Sequence, residues 1–287
     1  MTKGYFILGT GQGVGKTLFC RALLHLASKR GLTTSVFKPV DTGCPIISSP
    51  TKPVSVGGLP GQLDADSIAA LANLEQIAGP IPSYILGQTP QESLGPRDGQ
   101  HLLNACGRKD LQIDDVSPYR FAPDLEPAIC ARYADTEISL DHLWGVAQEL
   151  RSAADLFLVE GSWSVMSPLV GNLTQLDLVK KLDLPVVLVV PSMAGAVGPC
   201  LLAFRALSSA GVEVHSVVIN RIRAEIGLDE AALPFQIETY MGDVVRGVLP
   251  HFNGEQLFDL EYLGERLRVH VDVEGFLKSS VYTESLM

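Results

Sequence analysis

The nine residues Gly9-Thr10-Gly11-Gln12-Gly13-Val14-Gly15-Lys16-Thr17 constrain this chain more than any other stretch. The apolar run Tyr5-Phe6-Ile7-Leu8 precedes them, and the helical pattern Leu18-Phe19-Cys20-Arg21-Ala22-Leu23-Leu24 follows. Strand, glycine loop, Gly-Lys-Thr and helix together make a phosphate-cradling loop. Glycines let backbone N–H groups converge on phosphate oxygens, and the helix N-terminus adds its dipole. In such a loop Gly11, Gln12, Gly13, Val14 and Gly15 would surround the phosphates of ATP. Lys16 would reach the β- and γ-phosphates, and the Thr17 hydroxyl would reach Mg²⁺. The strict spacing asks for glycine at position 10, where this chain has Thr10; its leading glycine comes one residue earlier.

The rest of the chain supplies a sheet for that loop to sit on. Ser35-Val36-Phe37 reads as a strand ending at Lys38-Pro39, and Leu156-Phe157-Leu158-Val159 as one ending at Glu160-Gly161. Val186–Val190 and Val214–Ile219 are two more, the last ending at Asn220. Continuous β-branched and apolar runs of this length belong to parallel strands covered on both faces. Between them lie helices. One is capped by Ser139 with an apolar face of Leu140, Leu143, Trp144, Ala147 and Leu150, and another has Pro199 in its first turn and ends before Gly211. The expected fold is α/β, a doubly wound, mostly parallel sheet with helices on both faces, of the P-loop NTPase kind. Ligands of such sheets sit at the carboxyl ends of the strands, and Lys16, Lys38, Glu160 and Asn220 all fall there.

The boundaries follow from composition. Residues 1–253 are read as one P-loop domain and residues 254–287 as a C-terminal extension. Pro, Gly and Ser make 41–62 a loop and about 87–110 an insertion. The formal charge of −10 disfavours nucleic acid and anionic membrane as partners. No apolar run is long enough to span a bilayer, and the first leads directly into the glycine loop. Five scattered cysteines without a C-x-x-C pair argue against a disulfide or structural-metal framework, so a cytoplasmic, reducing location is expected. The six histidines show no metal-ligand spacing, and no Gly-x-Ser-x-Gly elbow occurs.

Four segments occur in a telling order: the glycine loop, Lys38-Pro39-Val40-Asp41-Thr42-Gly43, Val159-Glu160-Gly161, and Leu184-Pro185 leading into the Val186–Val190 run. In this order and spacing, from about residue 3 to residue 250, they resemble the dethiobiotin synthetase family. Ser117-Pro118-Tyr119-Arg120-Phe121 with Glu126-Pro127 is similar to that family's Pro-Tyr-x-Phe segment. The resemblance implies an ATP- and Mg²⁺-dependent cyclo-ligase of biotin biosynthesis, a homodimer acting on 7,8-diaminopelargonic acid and CO₂. A carbamate would form on one amine, ATP would phosphorylate it, and the second amine would displace phosphate.

The resemblance also implies roles. Lys16, Lys38 and Thr42 would be catalytic, and Thr17, Asp66 and Glu160 would hold Mg²⁺. Asp64 competes with Asp66 for the metal role, the other serving as a helix cap. Asn220 would read the adenine edge while Val248-Leu249-Pro250 closes over the base. Gln12, Lys38, Thr42, Glu126, Gly161 and Ser162 would face the substrate. Gly195 and Val197, at a helix N-terminus, would reach its carboxylate end across a dimer interface. The chain departs from the family where Ala-Gly-Gly usually follows Glu-Gly: it has Ser162-Trp163-Ser164. Gln12 replaces a frequent Thr, and Glu126 a frequent Ser. The substrate thus stays open, with an ATP-dependent carboxylating or amide-forming ligase on another small substrate, or a non-catalytic nucleotide switch, as alternatives. Gly11 stands where partitioning and septum-site ATPases place an extra lysine, which weighs against the switch.

Overall fold

The computed structural model describes residues 2–47, 94, 95 and 97–277. In chain order the strands are β1 (Lys3–Gly9), β2 (Thr34–Phe37), β3 (Val40–Thr42), β4 (Tyr119–Phe121), β5 (Leu156–Ser164), β6 (Pro168–Val170), β7 (Leu173–Thr174), β8 (Val186–Ser192), β9 (Val214–Arg221) and β10 (Val245–Leu249). The helices are α1 (Lys16–Lys29), α2 (Asp98–Cys106), α3 (Ile113–Val116), α4 (Pro127–Tyr133), α5 (Leu140–Ser152), α6 (Gln175–Leu182), α7 (Val197–Ser209), α8 (Leu228–Ala231), α9 (Leu233–Met241), α10 (Leu260–His270) and α11 (Val273–Leu277). Six strands form the central sheet in the order β10-β9-β8-β1-β5-β2, every pair parallel. The expected doubly wound α/β fold is therefore the fold observed.

Alternation along β1 shows how the sheet is covered. Phe6 and Leu8 point to a core shared with α5, α6, α7 and α9, whereas Tyr5 and Ile7 point to a core shared with α1, α2, α10 and α11. Both layers are apolar, so the buried strands need no polar alternation. Ser139 caps α5 as its sequence suggests, its Oγ accepting from His142 N at 3.2 Å. Trp144, placed on the apolar face from sequence, is instead exposed.

Three segments differ from their sequence reading. Within 87–110, residues 98–106 form α2, whose Leu102, Ala105 and Cys106 are buried beside α1 and β2. Gly95, Gly99 and Gly107 disguise it as loop, although Gly107 serves as a left-handed helix end. Beyond residue 254, Leu263, Leu267, Val271, Val273 and Phe276 belong to the same core cluster as α1. Gly264 makes that packing possible, since a Cβ there would lie 3.0 Å from the His25 ring and 3.4 Å from Leu26. Within 41–62, Asp41 and Thr42 are strand rather than loop.

The end of α6 yields a stability prediction. Exposed Asp183 terminates that helix at φ 50°, ψ 58°, a left-handed conformation that glycine adopts without strain. Asp183→Gly relieves roughly 1–2 kcal/mol of backbone strain and loses part of it to the greater freedom of the unfolded chain. The expected outcome in thermal unfolding is a Tm higher by about 1–3 °C. An unchanged or lower Tm would show that the aspartate carboxylate compensates.

Candidate active site

Because the six strands run parallel, their carboxyl ends share one rim, and a cleft of about 680 Å³ opens there. The loop from Gly9 to Thr17 leaves the end of β1 near the middle of the sheet. Gly13 and Gly15 take positive φ of 67° and 103°, which turns the chain into the first turn of α1. Lys16, nearly buried, donates from Nζ to Gly11 O at 2.9 Å and to Trp163 O at 3.2 Å. The lysine therefore bridges the loop and the end of β5, where two neighbouring strands deliver their polar residues.

Lys38 follows β2 and Glu160 lies within β5, which pairs with it. Both side chains are buried, and Lys38 Nζ meets Glu160 Oε1 at 2.7 Å. Nζ also lies 3.4 Å from Gly161 O and 3.8 Å from Asp98 Oδ2. Burial alone would lower the lysine pKa, but Glu160, Asp98 and Asp41 outweigh it and raise it, so Lys38 is a fixed cation. Burial holds Glu160 above the usual carboxylate range against the pull of Lys38. Asp41 is fully buried and its Oδ2 accepts from Arg97 N and Gly99 N, both at 3.0 Å. That carboxylate fastens the start of α2, and with it Asp98, to the lysine.

Lys16 is pulled the same way by Glu160 and Asp98, but they do not prevail. Burial, then repulsion from Lys38, lowers its pKa to about 8. A cation is charged below its pKa, so its grip on a polyphosphate weakens as pH rises through that value. Affinity for a non-hydrolysable ATP analogue, measured by calorimetry, should fall by several-fold between pH 7 and pH 9, up to about tenfold per unit above the pKa. A Lys16→Arg variant, charged throughout, should lose that dependence. A flat profile in the parent chain would mean that Lys16 stays charged.

Thr17 donates from Oγ1 to Glu160 Oε1 at 3.0 Å, while Glu160 Oε2 is buried and has no hydrogen-bond partner among the described residues. A hydroxyl beside an unsatisfied carboxylate oxygen suits a hard divalent cation. Asp66 lies outside the described residues, and among those described no group of three His, Cys, Asp or Glu residues could hold a metal ion.

On the β9 side of the loop, Asn220 donates from Nδ2 to Val14 O at 3.1 Å, and its buried Oδ1 has no partner among the described residues. Val248, Leu249 and Pro250 do not line the cleft there; Leu249 is buried in the core, and His251 and Phe252, just beyond Pro250, form the wall. On the β5 side, Ser162 Oγ donates to Val40 O at 2.6 Å. Gln12 Nε2 donates to Asp124 Oδ1 at 2.5 Å, and Arg97 Nη1 pairs with Asp124 Oδ2 at 3.0 Å.

Lys16, Thr17, Lys38, Thr42, Glu160, Ser162, Gln12 and Asn220 thus meet in one cleft. Glu126, Gly195 and Val197 do not line it. Glu126 begins α4 and accepts from Ser167 Oγ at 3.3 Å, with burial raising its pKa. Gly195 and Val197 sit at the start of α7. Sequence reasoning missed Asp41, Arg97, Asp98 and Asp124. Asp41 had one signal, its place in the family-like segment Lys38-Pro39-Val40-Asp41-Thr42-Gly43.

A model of the AAA domain family matches residues 3–258. The ATP-dependent dethiobiotin synthetase BioD of Pseudomonas aeruginosa (strain UCBPP-PA14) is 31% identical over 217 residues, 75% of this chain and 76% of that protein. The one of Caulobacter vibrioides is 30% identical over 79% of this chain and 84% of that protein. The one of Bacillus licheniformis is 26% identical over 94% of both. Among solved structures, the MinC:MinD cell division protein complex of Aquifex aeolicus aligns at 15% identity and TM-score 0.45, over 92% of this chain and 86% of that one. By the extent of the family match and by these relatives, the chain belongs to the dethiobiotin synthetase family of P-loop proteins.

Proposed function

We propose that this chain is an ATP-dependent cyclo-ligase that joins CO₂ to 7,8-diaminopelargonic acid and closes the ring to give dethiobiotin. The observation that carries the reading is the convergence of two buried lysines from separate strands on residues 160–163: Lys38 on Glu160 and Gly161, Lys16 on Trp163. Transfer of a phosphoryl group develops charge on its equatorial oxygens, and positioned cations stabilise that charge.

Each residue then has a task. The backbone of Gly11 to Gly15 and the start of α1 hold the triphosphate, with Lys16 along its outer phosphates. Lys38, kept charged by Glu160, Asp98 and Asp41, faces the carbamate oxygen that takes the phosphoryl group. Thr42 offers a hydroxyl to the carbamate or to an amine. Asn220 Oδ1 awaits a donor such as the adenine amino group. Thr17 and Glu160, with Asp66, would hold Mg²⁺. When bound, the ion would neutralise part of the phosphate charge.

The remaining parts of the reading are supported more indirectly. Met193 and Leu202 are exposed near the start of α7, and Gly195 and Val197 lie away from this chain's own cleft. A homodimer that offers this helix N-terminus to its partner's substrate accounts for both. The charge of −10 disfavours nucleic acid and anionic membranes as partners, and among the described residues no helix is long and apolar enough to cross a membrane. The five cysteines are free and buried, in keeping with a cytoplasmic setting.

The deciding experiment incubates the purified protein with ATP, Mg²⁺, bicarbonate and 7,8-diaminopelargonic acid and follows dethiobiotin by mass spectrometry. Product that depends on every component is the expected result. ATP binding without product would sink the reading.

A further inference from the structure

The end of β5 contains a bulky residue in a conformation suited to glycine. Trp163 has φ 58°, in the left-handed region, where a non-glycine residue costs roughly 1–3 kcal/mol unless its surroundings hold it. Its neighbours do hold it. Ser162 Oγ is bonded to Val40 O, and Ser164 forms a bridge with Thr10 of the glycine loop. The turn aims the Trp163 carbonyl at Lys16 Nζ, and the residue lines the cleft. Among the described residues its indole Nε1, a buried atom, has no hydrogen-bond partner. A buried donor left unpaired is unusual and asks for a ligand acceptor. Indole N–H donates only, so the ligand must bring the lone pair. With Lys16 and Lys38 within the same few residues, the favoured acceptor is an anionic oxygen.

Two oxyanions could meet that description, a nucleotide phosphate or the carboxylated substrate. Strand order separates them. Asn220 lies near the end of β9, on one side of β1, whereas Trp163 lies near the end of β5, on the other side and beside β2, which Lys38 follows. The phosphates are served by the loop itself. We propose that Trp163 determines specificity for the carboxylated substrate, its indole N–H binding a carbamate oxygen and its ring filling the space a glycine would leave.

The proposal rests on the ligase reading, and its test separates the two. The chain has two tryptophans, and Trp144 is exposed on α5, so Trp144→Phe leaves Trp163 as the single fluorophore. Its emission should change on adding 7,8-diaminopelargonic acid with bicarbonate and stay unchanged with a non-hydrolysable ATP analogue and Mg²⁺ alone. A response to the nucleotide alone, or to neither, overturns the proposal. In turnover, Trp163→Phe should raise KM for the diamine about tenfold, as loss of a hydrogen bond to a charged group does, and leave KM for ATP within about twofold. Trp163→Gly should raise kcat/KM for a bulkier diamine relative to the native one by about tenfold, the scale of pocket-size discrimination. Unaltered KM in Trp163→Phe, with dethiobiotin still made by the parent chain, removes the Trp163 role and leaves the ligase reading intact. If the parent chain makes no dethiobiotin, the ligase reading falls instead, and the fluorescence titration still decides the oxyanion site.

Discussion

Lys38→Ala should lower kcat about a thousandfold, the scale seen when one preorganised charge-stabilising group is removed, and it should also make stability depend on pH. Glu160 is 0% exposed and Lys38 Nζ is its closest cation, so the variant strands a carboxylate in the sheet. Breaking a buried pair from one side costs about 3–5 kcal/mol. The sign follows from protonation. Glu160 in the folded variant has a pKa raised further above its unfolded value of about 4.3. Below that value both states are protonated and the penalty is absent. It grows as pH rises toward the folded pKa and then levels off. Urea unfolding of Lys38→Ala should therefore show a larger deficit against the parent at pH 7.5 than at pH 5. Lys38→Met, which keeps most of the volume, should show the same slope. A deficit independent of pH would mean that the loss is one of packing. Near-normal kcat would remove Lys38 from the chemistry.

Gly15→Ala should cost at least a hundredfold in nucleotide affinity. Gly15 holds φ 103°, and an added Cβ would press on the Asn220 amide nitrogen and lie 2.9 Å from its Cγ. Two penalties coincide: backbone strain of roughly 1–3 kcal/mol, and displacement of Asn220 from Val14 O, its link to the loop. Together they exceed the ~2.7 kcal/mol that a hundredfold represents. Gly13→Ala separates the two effects. Gly13 has φ 67° but nothing lies within 4 Å of its Cβ position, so only backbone strain applies. Calorimetry with an ATP analogue should find Gly13→Ala impaired by about tenfold or less, the share that backbone strain alone gives. Equal losses in the two variants would show that Asn220 has no part in holding the nucleotide.

How far the sequence revealed this site depended on the range of the interactions that build it. The glycine loop was legible because strand, turn and helix are contiguous and each has its own pattern. Lys38, Glu160 and Asn220 were legible because a polar residue ending an apolar strand run marks the ligand-binding rim of a parallel sheet. Asp41 and Asp98 were not, since their pairing depends on α2 folding against β3, across 56 to 58 residues of chain. α2 itself was hidden by its glycines, whose role at a helix end resembles that of loop glycines in a linear reading. The wall beside Asn220 was misplaced by a few residues because β10 carries Leu249 into the core before the chain turns into the cleft at His251. Trp163 was noticed as an irregularity. Its left-handed backbone explains why glycine is the usual residue there.

α1 begins at the phosphate lysine and is clasped further along by the late helix α10, while Arg21 Nη1 donates to Leu257 O at 2.7 Å. The helix that carries the glycine loop therefore cannot attain its final packing until a segment 236 residues further along the chain has arrived. A nascent chain halted near residue 250 would carry a complete glycine motif on a helix with one bare flank.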